Sequence, residues 1–462
     1  MKKILLTLIA ALTLSTNALA QEQEGATLNI NQYCADLLQS GRVFELKDLI
    51  GAYNDVIDPT LSTWAGAVLA THFGKNDEAA DSLRSLINNY ADALPPHPIF
   101  SAAYDLATSL ATDGRHEDAA EVYNLSLTIL KSIEDAPENM LARIPSDIEY
   151  QRQMTQMPRM TFEPKEDGWQ IPFVIDSIGR ETDKGISINV AGKLNGTLTN
   201  IVVDTGAAIS IISKEKAEEL GLKPLGLSVN LKAGKSVETN HTIIETMEIG
   251  NMTLHNVLFN IVDIRTGNEE ADKHIEKLSV ILGMDVLSQL GGLSFAFEQN
   301  SIIIPPKNDS LTEKEGTTGQ DKKGYLAGKN NMRRSPNNRN YYVQANHDGE
   351  EIDMLIDTGF THWGNLSYEY FLSHKDAIIA SGESCKERSA GIGGAYEIEK
   401  YRLHDFPIVI DGKTLILKEI TVTAAPTPPG SNIEENIIGL MSLQQAGSMT
   451  MDFEDSGLTL GE

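Results

Sequence analysis

Cysteine is nearly absent from this 462-residue sequence: Cys34 and Cys385, about 350 positions apart, are the whole complement. A disulfide framework is therefore excluded, although one bridge between the two remains open in an oxidising compartment. Two cysteines are too few for a thiolate metal centre, and the ten histidines form no His-Glu-x-x-His pattern, so zinc hydrolysis has no support. No metal site and no cofactor is expected. Nothing around Cys385 forms a nucleophile turn. Positive charge is also scarce, with 38 Lys and Arg against 65 Asp and Glu and a net charge of −27. Such a chain repels phosphate backbones and anionic lipid, which excludes nucleic acid as a partner class. After the first twenty residues no apolar run approaches the roughly 18 residues that cross a bilayer, so no membrane span is expected.

The first twenty residues have the form of an export signal. Lys2 and Lys3 precede an apolar run from Ile4 to Leu14, and Ala18-Leu19-Ala20 supplies small residues for cleavage after Ala20. The reading predicts a periplasmic or secreted chain that starts at Gln21, with no Cys there to take a lipid. Hydrophobic content of 41% and charge of 22% are those of a globular chain, and the length suggests about three domains.

Residues 21–150 read as helices. Leu37 and Leu38, then Val43, Leu46, Leu49 and Ile50, recur at spacings of three and four. Gly74-Lys75-Asn76-Asp77-Glu78-Ala79-Ala80 matches Gly114-Arg115-His116-Glu117-Asp118-Ala119-Ala120 forty residues on, and Gly41-Arg42 begins a looser copy. Each Gly is expected to end a helix, and each Ala-Ala pair to let the next pack closely. The segment resembles a tetratricopeptide-like array of helical hairpins. Such an array serves either as a groove for a protein partner or as a scaffold.

After a connector at 151–168 the pattern changes to period two: Ile186, Ile188 and Val190 alternate with Ser187, Asn189 and Ala191. A polar, Pro- and Gly-punctuated stretch at 305–339 reads as a flexible linker between residues 169–304 and 340–462. These two segments repeat each other. Asp204-Thr205-Gly206 and Asp357-Thr358-Gly359 lie 153 residues apart, each preceded by a hairpin dipeptide, Asn195-Gly196 or Asp348-Gly349. Downstream, Val280-Ile281-Leu282-Gly283 matches Asn436-Ile437-Ile438-Gly439, and Phe297-Glu298 matches Phe453-Glu454.

This order of hairpin, apolar pair with Asp-Thr-Gly, and apolar pair with Gly resembles the retropepsin-like aspartic proteases. The resemblance implies a multidomain protein in which all-α helical hairpin repeats precede two all-β acid-protease lobes. It implies a polypeptide substrate, with Asp204 and Asp357 as a catalytic dyad around one water. Both halves lie in one chain, so a monomer suffices. Thr205 and Thr358 are implied to bond across the lobes. Gly206 and Gly359 give backbone amides access to the carboxylates. Gly283 and Gly439 pack beneath the two loops. Flap tips are read at Gly391-Ile392-Gly393-Gly394 and at Gly234, where an ordinary hairpin turn is the alternative.

Two positions depart from the family. Ala207 and Phe360 follow the triads, and neither carries a hydroxyl. The carboxylates then lack one bond that favours their charged form, which predicts a pH optimum milder than that of pepsin-like enzymes. Phe360 either crowds the dyad or shapes a pocket. A binding protein that holds peptides without cutting them is the alternative function, and a zymogen that cuts its own linker or helical region is a third.

Overall fold

Three glycines set the rhythm of the helical part: Gly41, Gly74 and Gly114 all sit in the left-handed region, at φ 71°, 69° and 71°. Each follows a helix and ends it, because only glycine adopts that conformation without a Cβ penalty. The computed structural model describes residues 29–163, 165–180, 183–226, 228–232, 236–265, 278–306, 324–326, 329–336, 339–391, 394–426 and 435–461. The export signal read at 1–20 lies outside these residues. Of the stretch read as a linker, 305–306, 324–326, 329–336 and 339 are described.

Two units result, one helical and one of β-sheet. The helical unit holds seven helices among the described residues: α1 (Ile30–Ser40), α2 (Val43–Tyr53), α3 (Pro59–His72), α4 (Asn76–Tyr90), α5 (Pro96–Thr112), α6 (His116–Leu130) and α7 (Glu138–Met154). Ala79, Ala119 and Ala120 are buried at the starts of α4 and α6, as helical hairpin repeats require. No helix among the described residues is long and apolar enough to cross a membrane. Cys34 and Cys385 are both free thiols.

The β unit opens with β1 (Thr161–Phe162), β2 (Trp169–Pro172), β3 (Val174–Arg180), β4 (Asp183–Leu194), β5 (Thr197–Val203) and β6 (Ile211–Ser213). It continues with β7 (Ser228–Lys232), β8 (Ser236–Ile249), β9 (Met252–Val262), β10 (Val280–Leu282), β11 (Gly292–Ala296) and β12 (Ser301–Ile304). The second lobe has β13 (Met332–Arg334), β14 (Tyr341–His347), β15 (Glu350–Asp357), β16 (Gly364–Leu366) and β17 (Glu383–Gly391). Its remaining strands are β18 (Gly394–Ile410), β19 (Lys413–Thr423), β20 (Ile437–Gly439), β21 (Ser448–Asp452) and β22 (Gly457–Leu460).

The two lobes have one topology. In the first sheet the order β9-β6-β10-β5-β4 recurs in the second as β19-β16-β20-β15-β14. β4 turns into β5 through Asn195-Gly196, and β14 into β15 through Asp348-Gly349. All four turn residues have positive φ, the twist that a two-residue hairpin needs. Ile188 and Val190 enter the apolar core, while Ser187 and Asn189, though polar, are buried on the opposite face.

A third sheet, β2-β12-β11-β21-β22, joins the lobes. At its centre β11 runs antiparallel to β21, with Ser294 opposite Thr450 and their hydroxyls 2.9 Å apart. Equivalent residues thus face each other on a pseudo-two-fold axis. Phe297 N donates to Gly447 O and Phe453 N to Gly291 O, both at 3.1 Å, so the relation extends beyond the strands. One apolar core runs through both lobes, from Trp169 to Leu460.

Candidate active site

The same pseudo-symmetry brings the two triads together. β5 and β15 each end at an Asp-Thr-Gly turn, and each lies parallel to the later strand that ends in Gly, β10 or β20. That later strand is inserted between the strands before and after the triad. The turn is therefore held from both sides by backbone pairing.

Four hydrogen bonds tie the turns to each other. Thr205 N donates to Thr358 Oγ1 and Thr358 N to Thr205 Oγ1, both at 3.0 Å. Thr205 Oγ1 then donates to Ile356 O at 2.8 Å, and Thr358 Oγ1 to Val203 O at 3.0 Å. Both threonines are buried, and each hydroxyl uses its one donor and accepts once. Serine could make the same bonds; an aliphatic side chain could make none.

Each carboxyl is fixed by amides of its own turn. Asp204 Oδ1 accepts from Gly206 N at 2.8 Å and from Ala207 N at 3.0 Å. Asp357 Oδ1 accepts from Gly359 N and Phe360 N, both at 2.8 Å. A Cβ on Gly206 would run into the Asp357 carboxyl, and one on Gly359 into that of Asp204. Glycine is needed here for space.

The two carboxyls lie together at the pseudo-two-fold axis, each close against the glycine of the opposite turn. Burial raises the pKa of both, and for Asp357 the charge of Asp204 raises it further, leaving Asp357 well above the carboxylate range. The amide bonds oppose this by favouring the charged form. Raised values on both and the further rise on Asp357 favour a pair that keeps one proton between its two members. Such a pair can take a proton from one group and give one to another.

Beneath the turns lie Gly283 and Gly439. A Cβ on Gly283 would stand 2.6 Å from the carbonyl carbon and oxygen of Ile209. One on Gly439 would meet His362 O and stand 2.6 Å from Phe360 Cδ1. Below them the lobes differ. Ser210 Oγ bonds Asp285 Oδ1 at 2.6 Å and accepts from Gly283 N at 3.0 Å. In the second lobe Trp363 O accepts from Gly439 N and from Ser442 Oγ. Sequence reading missed these supports, because hydrogen bonds between residues distant in the chain leave no spacing pattern.

The Phe360 ring packs on Tyr342, Leu355 and Ile437. Between the triad and the later glycine each lobe carries a long hairpin, β7–β8 or β17–β18. Gly391 and Gly394 pair at the end of the second; Gly234 and Gly393 lie outside the described residues. Among the described residues no group of three or more His, Cys, Asp or Glu is placed to hold a metal ion.

Comparison with known proteins agrees with this architecture. The family model described as aspartyl protease matches residues 190–286, from β4 through the first triad to just past Gly283. No curated protein matches the chain. The match supports a protease-like function.

Proposed function

We propose that the chain is an aspartic endopeptidase, with Asp204 and Asp357 activating a water between them for attack on a peptide bond. The observation that carries this reading is the pair of buried, closely apposed carboxyls, each from one copy of a repeated turn. The ionised member takes a proton from the water while the protonated member gives one to the carbonyl oxygen. Thr205 and Thr358 hold the two turns in register, and Gly206 and Gly359 let each carboxyl lie against the opposite backbone. The β7–β8 and β17–β18 hairpins would act as flaps that close over the substrate.

The raised pKa of Asp357 sets the pH dependence. Activity needs one proton on the pair; it falls in acid as both carboxyls become neutral and in base as Asp357 loses its proton. Holding that proton to higher pH moves the upper limit toward neutrality. Digestion of an unfolded protein between about pH 3 and pH 8 should give a bell with a mild optimum. Asp204→Asn and Asp357→Asn should each lower kcat/KM by about a thousandfold or more. A rate that keeps rising below about pH 3 contradicts the pH assignment. Absence of cleavage with retained peptide binding would favour the binding-protein reading.

Action outside the cytoplasm is part of the same proposal, motivated by Lys2, Lys3 and the apolar run up to Ala20; a mature chain that begins at Gln21 is the outcome that checks it.

A further inference from the structure

The two sides of the dyad are built alike in backbone and unlike in side chain. In the second lobe Tyr342 pairs with Leu355 across an antiparallel ladder, and Ile437 pairs with Leu355 across a parallel one. The Phe360 ring closes over these three, and the Arg333 guanidinium covers the Tyr342 ring at 4.5 Å. The first lobe has the same ladders, with Asn189 opposite Val202 and Ile281 beside it. There the residue after the triad is Ala207. The set Phe, Tyr, Leu and Ile on one side thus corresponds to Ala, Asn, Val and Ile on the other.

The smaller set is not filled from elsewhere by Asn189. Its side-chain nitrogen donates to Asp176 Oδ2 and Ser187 Oγ, both at 2.9 Å, and its oxygen accepts from Asn200 Nδ2 at 2.8 Å. It is held along its own sheet by these bonds. Ala207 and Phe360 are both half-buried, and both are one residue from the glycine that touches the opposite carboxyl.

We infer that Phe360 sets substrate specificity by size, a conclusion that rests on the proposed hydrolysis of peptides. A peptide lying across the pseudo-two-fold axis presents the residue before the bond to one lobe and the residue after it to the other. Leu355 lies two residues before Asp357 on β15, so strand alternation puts the Phe360, Tyr342, Leu355 and Ile437 set on the face of the Asp357 carboxyl. There the ring takes room from a substrate side chain, and that side accepts a small residue. On the Ala207 side the matching residues are Ala207, Asn189, Val202 and Ile281, with no aromatic side chain among the four, and a large residue fits. The substrate class is therefore polypeptide sites with one small and one large residue flanking the bond. A pocket can reject a larger group by sterics but gains only modestly from each extra methylene, so the discrimination should be clearest against bulk beside Phe360.

The test uses the full chain and a peptide library in which the two flanking positions are varied independently. Cleavage by wild type is read by mass spectrometry, and binding of the same peptides to the Asp204→Asn variant by fluorescence anisotropy. Wild type should favour small residues at one flanking position only. Phe360→Ala should raise kcat/KM for large residues at that position, relative to small ones, by about tenfold or more. Ala207→Phe should impose the small preference at the other position, which keeps the inference testable where Phe360→Ala fails to fold. Cleavage with the same preferences in both variants overturns the size assignment and leaves hydrolysis standing. Size-selective binding without cleavage by wild type sustains the assignment and overturns hydrolysis.

Discussion

Asp357 is buried at 7% exposure beside a second carboxyl, and that placement carries a cost in stability at neutral pH. Its folded pKa is raised, so the folded state binds more protons than the unfolded one between the ordinary value of about 4 and the raised one. Stability then falls as pH rises through that window and is recovered in acid. Asp357→Asn keeps an oxygen for the Gly359 and Phe360 amides and removes the titration. Its Tm should exceed that of wild type near neutral pH, with the difference shrinking toward about pH 4, as differential scanning calorimetry can read. An equal Tm difference at both pH values would contradict the shared proton. The residues of this pair were legible in the sequence because the chemistry fixes their type. The direction of the Phe360 ring was not, since it depends on Tyr342 and Ile437, which are distant in the chain and meet it only in the fold.

At the scale of elements, the inserted strand is what locks each turn, and its terminal glycine is its weakest point sterically. Gly283 and Gly439 have ordinary extended backbone, with φ −102° and −92°, so each is required by space. The atoms a Cβ would meet include backbone carbonyls, which cannot swing aside. Gly283→Ala and Gly439→Ala should each cost about 1–3 kcal/mol in urea unfolding, the usual penalty of overpacking. An unchanged midpoint would mean the turns can shift. The strands were readable from alternation and the hairpins from Asn-Gly and Asp-Gly. The helix Tyr368–Ser381 was not. Phe371 and Ile378 are its only buried apolar residues, one turn-pair apart, while Leu372 and Ile379 are exposed, so its pattern lacks a clear face. β13 escaped notice because its Met332-Arg333-Arg334 sits in polar sequence, although Met332 and Arg334 are buried.

For the molecule as a whole, the site depends on two lobes meeting, and the shared sheet makes that meeting intramolecular. Specific activity per chain should stay constant on dilution from micromolar to nanomolar concentration; a loss on dilution would mean that a second copy completes the site. The helical repeats were legible because three glycines at helix ends mark their period. The duplication of the lobes was legible because equal offsets survive in the triads, the later glycines and the Phe-Glu pairs.

The Ser294–Thr450 pairing at the centre of the shared sheet has a consequence for how the two lobes can differ. A strand lying antiparallel to its own copy is the contact two identical subunits make in an isologous dimer. In such a dimer every substitution appears twice, and both sides of the paired carboxyls change together. Covalent fusion removes that constraint. It is the condition under which an alanine on one side and a phenylalanine on the other can coexist, turning a mirror-like groove into one with a direction.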